Sequence, residues 1–243
     1  MPPEGTANEP EPQSAQNLTI PIAIVIAGVI VGGAIYLTSR GQTPAAATAT
    51  NSSDTQTIKK NIPPVTAADH IIGDINAPVK IVEYLDLECP FCKQFDGTMQ
   101  QIMAAYPGKV AWVLRNFPLQ QLHPNAPKLA LAAECVASLG GNDDYWKFKD
   151  SIFTQAPINT FFDMTKLTST AEGVGVDGKA FDSCVAAGTF EDKITGEFND
   201  AIAAGAQGTP FSVLIAPDGT QIPIPGSQPY DQVKQAIDTA LGA

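Results

Sequence analysis

Basic side chains are scarce in this chain. Its 243 residues carry 14 Lys and Arg against 25 Asp and Glu, a net charge of -11. That deficit argues against nucleic acid or an anionic lipid surface as partner, since both are bound through clustered cations. Histidine is scarcer still, with only His70 and His123. Neither falls at a metal-ligand spacing, and the four cysteines provide one close pair where a zinc site usually needs two, so no metal is expected. Met1 to Asn17 lacks Lys and Arg altogether and has almost no apolar groups, which predicts a disordered tail. Leu18 to Leu37 lacks charge of either sign. Twenty such residues match a hydrocarbon core about 30 Å thick and predict a transmembrane helix. A cleaved signal peptide would want a basic start and a shorter apolar core, so an uncleaved anchor is expected. The nearest cation, Arg40, lies after the span and by the positive-inside tendency would leave the rest of the chain in the cytoplasm. One arginine orients a helix weakly, and the cysteine chemistry described next points to the extracytoplasmic side of the cell membrane. Residues 38–68 read as a flexible linker, and the folded domain is expected over 69–243.

What the chain does have is Val79 to Tyr106, a strand, a tight turn carrying Cys89-Pro90-Phe91-Cys92, and a helix. A cysteine at a helix start meets unpaired backbone N–H groups and the positive end of the helix dipole, so Cys89 should ionise readily. Pro90 suits the first helical position, which makes Cys89 the N-cap. Cys92 lies one turn further in, hidden, so the exposed Cys89 sulfur is the expected nucleophile and Cys92 the resolving thiol. A structural staple is disfavoured because closing so small a loop stabilises little. In the preceding strand, period two puts Glu83 in a row with Val79, Ile81, Leu85 and Leu87. Two readings stand side by side. Glu83 is a desolvated acid that relays the resolving thiol's proton, or the strand is central and Glu83 merely reaches a structural partner.

Val110 to Phe117 reads as a second strand, parallel to the first, completing a right-handed βαβ unit. From there to about Ala204 the signals are helical, an insertion expected over 122–204. Cys135 and Cys184 lie in it as two buried thiols or as a bridge; the even cysteine count in an oxidising compartment favours the bridge. Gly208 to Ala216 and Gln221 to Ile224 read as an antiparallel hairpin. Pro210 heads its first strand, a place open to proline at an edge, at a first residue or through a cis bond. Pro229 to Leu241 closes the chain as an amphipathic helix.

Three motifs carry a resemblance: Glu83-Tyr84-Leu85-Asp86-Leu87-Glu88-Cys89-Pro90-Phe91-Cys92, then Asn116-Phe117-Pro118-Leu119 with His123-Pro124, then Gly208-Thr209-Pro210. In this order, around a helical insertion, they resemble the DsbA-like branch of the thioredoxin superfamily over about Asp69 to Ala243. The resemblance implies an α/β thioredoxin-like fold with an inserted helical subdomain, a cis bond at Pro210 beside the cysteine pair, Thr209 against the substrate backbone, and Glu83 as the buried acid six residues before Cys89. Pro90 and Phe91 would also face the substrate. Family oxidants carry His where this chain has Phe91, and phenylalanine offers the thiolate no donor, so a weaker oxidant is implied. The function implied is a membrane-tethered dithiol oxidase for reduced or unfolded exported proteins, without a cofactor, recharged by a membrane protein resembling DsbB or a vitamin K epoxide reductase homologue. A disulfide isomerase or reductase using the same site is the alternative. A binding module with a structural CxxC is the remote one.

Overall fold

A computed structural model describes residues 60–156 and 158–242. The expected tail, the expected membrane span and residues 38–59 of the expected linker lie outside the described residues. Among the described residues no helix is long and apolar enough to cross a membrane.

Five strands make one sheet: β1 (His70–Ile72), β2 (Val79–Leu85), β3 (Val110–Asn116), β4 (Phe211–Ile215) and β5 (Gln221–Pro225), in the order β1-β3-β2-β4-β5. β2 and β3 are parallel and joined through α1 (Pro90–Ala105), while the remaining pairs are antiparallel. β2 is therefore central and buried on both faces. Its alternation splits the core in two. Val79, Ile81 and Leu85 join Phe95, Met99 and Ile102 of α1 and Val233 and Ile237 of α7 (Tyr230–Leu241). Val82 and Tyr84 face the other way, against Phe211, Val213, Ala201 and Ala204.

Between β3 and β4 run α2 (Ala126–Gly140), α3 (Asn142–Gln155), α4 (Leu167–Gly173), α5 (Gly178–Ala187) and α6 (Glu191–Ala204). The insertion is not a separate body: Leu129, Phe148, Ile152 and Phe181 share one continuous core with β2 and α1. Its last helix is part of the central sandwich, because Ala201 and Ala204 of α6 cover the second face of the sheet. α2 and α5 are cross-linked by Cys135 and Cys184, with an S–S distance of 2.01 Å and Cα atoms 5.9 Å apart.

Packing starts upstream of Asp69, within the stretch expected as linker. Ile62 is buried in the second core, and its backbone exchanges hydrogen bonds with the Gln221 side chain at 2.8 and 3.2 Å. Arg115 donates to the carbonyls of Pro63 and Pro64 and pairs with Asp69 at 2.7 Å. Asn61 to Ala68 carries two prolines and no helix or strand period, and the buried guanidinium that collects the Pro63 and Pro64 carbonyls sits on a strand about fifty residues on. His70 is a packing residue, stacked on Tyr145 with ring centroids 3.6 Å apart and hydrogen-bonded to Glu134 at 3.0 Å.

Candidate redox site

Cys89 is the N-cap of α1, with extended backbone dihedrals and Pro90 at the first helical position. Its carbonyl accepts from Lys93 N at 3.2 Å, which closes the first turn. The chain leaves β2 at Leu85 and turns through Asp86, whose N–H points at Cys92 Sγ, 3.5 Å away. From across the sheet comes the loop before β4, where the Thr209–Pro210 peptide is cis and the Thr209 carbonyl lies 3.5 Å from Cys89 Sγ. A strand end, a helix start and a cis-proline loop thus meet at one sulfur.

The two cysteines differ electrostatically. A hydrogen bond from the Cys92 thiol draws the Cys89 pKa down from 9.0 to about 6, against the opposing effect of burial, and the N–H groups of Phe91 and Cys92 add to it. Burial, reinforced by the bond it gives to Cys89, pushes the Cys92 thiol well up. Exposure does not separate the pair, contrary to expectation: Cys89 is 4% exposed and Cys92 1%. Field does, because Cys89 sits at the open end of the helix with the Cys92 thiol and the N–H groups of Phe91 and Cys92 aimed at its sulfur, whereas burial outweighs the single Asp86 N–H that points at Cys92. Phe91 projects beside it, 59% exposed.

Glu83 is 1% exposed on β2. The strand is central, and the acid on it is desolvated. Burial, with the nearby Asp96 charge adding, raises its pKa from 4.5 to about 8; the hydrogen bond from Trp112 Nε1 at 2.9 Å and the Lys149 charge oppose that. Lys149, buried on α3, pairs with Asp96 of α1 and lies 5.0 Å from the Trp112 ring centroid. Sequence reasoning missed Asp96, Lys149 and the hydrogen-bonding role of Trp112. A lysine among the polar residues of α3 carries no pattern that distinguishes it, and the three converge only through packing.

Asp86 and Glu88 precede Cys89 in the same motif. Asp86 accepts from Leu119 N and His123 Nδ1, both at 2.8 Å, and Glu88 accepts from the backbone and side chain of Asn125 at 3.0 and 2.8 Å. These carboxylates tie the cysteine turn to the start of the insertion. Beside them opens a groove of about 1120 Å³ lined by Leu119, Leu122, Leu131, Ile194, Phe198 and Gly208, the last one residue from Thr209. Leu131 precedes Cys135 by one helical turn, and Val185 follows Cys184 on the same groove. The disulfide therefore joins two helices that both line the groove.

A vicinal dithiol with one lowered and one raised pKa, at a helix N-terminus beside a cis-proline, can carry thiol–disulfide exchange. Fold and site together define a DsbA-like member of the thioredoxin superfamily. The family model described as Thioredoxin matches residues 65–239, and the chain belongs to that family. DsbA2 of Pseudomonas aeruginosa is similar in structure, with 26% identity and a TM-score of 0.60 over 74% of this chain and 96% of that one. BdbD of Bacillus subtilis in its oxidised form shares the fold at 21% identity and a TM-score of 0.65, over 77% of this chain and all of that one. Among curated proteins, the Na(+)/H(+) antiporter NhaA 1 of Mycolicibacterium gilvum is 31% identical over 144 residues, 58% of this chain and 22% of that protein. The chain thus spans less than a quarter of that relative's length.

Proposed function

We propose that this chain is a thiol–disulfide oxidoreductase acting as a membrane-tethered dithiol oxidase for reduced or unfolded exported proteins. The observation that carries the reading is the setting of Cys89, an N-cap sulfur with a pKa near 6 beside the Thr209 carbonyl and cis-Pro210. Stabilising that thiolate stabilises the dithiol form, and a stabilised dithiol makes its disulfide an oxidant.

In the oxidised protein a substrate thiolate attacks Cys89 Sγ. The Cys89–Cys92 bond breaks, its electron pair leaves on Cys92, and Cys92 takes a proton from the Glu83 carboxyl. A second substrate thiolate then attacks the substrate sulfur of the mixed disulfide and expels Cys89 as its thiolate. Two electrons pass from substrate to protein and one disulfide forms in the substrate. A membrane partner of DsbB-like or vitamin K epoxide reductase-like type takes the electrons and restores the pair. The apolar groove ending at Gly208 and the exposed Phe91 suit unfolded polypeptide, which presents apolar side chains next to its cysteines. The acidic surface suits neither nucleic acid nor anionic lipid headgroups.

Phe91 favours the second reading, an isomerase, because it withholds the extra donor to the thiolate. Equilibration with glutathione, quenched with acid, tests the oxidising direction that both readings share against that of a reductase. The expected potential lies between about -120 and -200 mV, from that of DsbA to slightly below the roughly -180 mV of disulfide isomerase. A value near the roughly -270 mV of thioredoxin would make the protein a reductase and sink the oxidase reading. Cys89→Ser should abolish exchange, while Cys92→Ser should accumulate mixed disulfides through Cys89. A Cys92→Ser protein whose Cys89 captures no disulfide-bearing substrate would leave only the structural role for the pair.

A further inference from the structure

Ser212 stands on β4 directly opposite Glu83 on β2. Directly opposed residues share a face of the sheet, with Cβ atoms about 4.5–5.5 Å apart, so both side chains enter the core that holds Cys92 and Trp112. Ser212 is 0% exposed, and its hydroxyl has no hydrogen-bond partner among the described residues. A buried unpaired hydroxyl costs about 1–3 kcal/mol, so its persistence beside a buried acid calls for an account. The Glu83 carboxyl has one oxygen engaged by Trp112 from β3.

We propose that Ser212 is a positioning residue for Glu83, its hydroxyl rotating to donate to the Glu83 carboxylate whenever the acid has given up its proton. A serine hydroxyl can also accept from the protonated carboxyl, but its bond to the charged form is roughly twice as strong. The net effect favours the carboxylate. The other groups facing Glu83 divide in sign. Lys149 on α3 and Trp112 on β3 favour the carboxylate, whereas Asp96 and Cys89 of α1 oppose it, and α7 packs on this core through Val233 and Ile237. Cys92 of α1 feels Glu83 in turn. Ser212 thus helps keep the acid able to release its proton near neutrality, the condition for protonating Cys92 as it leaves the disulfide.

The inference rests on the oxidoreductase reading for its purpose but not for its test. In the full-length oxidised protein without substrate, the C=O stretch of the protonated Glu83 carboxyl can be followed against pH by infrared difference spectroscopy, with Glu83→Gln identifying the band. Ser212→Ala should raise the midpoint by about half to one pH unit, as expected for loss of one hydrogen bond to the charged form. Ser212→Thr, which restores a hydroxyl, should bring it back. The pH profile of disulfide exchange should move by the same amount in Ser212→Ala, with no added effect of that substitution in a Glu83→Gln background. A midpoint unchanged or lowered in folded Ser212→Ala overturns the proposal. A shifted midpoint in a protein that oxidises nothing would retain Ser212's role and reject the oxidase.

Discussion

At the scale of single residues, the site works by splitting three acids that would otherwise titrate conventionally. Cys89 is held low by Cys92 and backbone donors, Cys92 is held high by burial, and Glu83 is carried up to about 8. Alkylation of the reduced protein with iodoacetamide should therefore rise with a midpoint near pH 6 from Cys89 alone, leaving Cys92 unmodified at neutrality. A single rise near pH 9 would mean that the helix start and the Cys92 bond do not stabilise the thiolate. The two shifts act on stability in opposite senses. The depressed Cys89 pKa stabilises the folded dithiol form above pH 9, and that contribution is lost as pH falls through about 6. The raised Glu83 pKa stabilises the folded dithiol form below pH 4.5, a contribution lost as pH rises through about 8, and the same sense holds in the oxidised form, where Cys89 carries no charge to add to the shift. Urea titrations of the oxidised protein, where only Glu83 of the two remains titratable, should show stability falling as pH rises above 4.5. Glu83→Gln should flatten that slope, and an unchanged slope in the variant would place the titration elsewhere.

At the scale of elements, the insertion is more than a cover. Asp86 and Glu88 hold its first residues to the cysteine turn, α6 closes the second sheet face, and α3 brings Lys149 under α1. The Cys135–Cys184 bridge joins α2 to α5 across a separation of 49 residues. In the chain-entropy model a loop of that size contributes about 4 kcal/mol, and native bridges generally about 2–4. Cys135→Ala with Cys184→Ala should lower stability by that order in denaturant unfolding while leaving the potential of the Cys89–Cys92 pair unchanged. It should also weaken exchange with peptides bearing apolar residues next to cysteine more than with glutathione, because Leu131 and Val185 line the groove beside the bridge. Equal stability with and without the bridge would remove its structural role.

At the scale of the whole molecule, topology decides what the redox pair can meet. The uncharged stretch from Leu18 to Leu37 should anchor the chain with the cysteine domain outside the cytoplasm. Protease added to intact spheroplasts should then remove that domain, and protection until lysis would place it inside. Much of the molecule was legible before folding because its signals are local. A proline at N1 after a cysteine, strand formers flanking a turn, and glycine stops after helical periodicity each act within a few residues, and they mark α1, β2, β3 and the β4–β5 hairpin. The composition of this chain by itself determined its acidic surface, its paired cysteines two residues apart and the charge-free segment ahead of the domain. Tertiary structure alone decided the rest, because desolvation and charge coupling depend on which distant side chains converge. Glu83 became a weak acid through burial and the neighbouring Asp96 charge, against the pull of Trp112 and Lys149, and Cys89 met Thr209 across 120 residues. Ile62 joined the core through Gln221, 159 residues away. No periodicity encodes such meetings; they follow from the sheet order that sets β2 between β3 and β4.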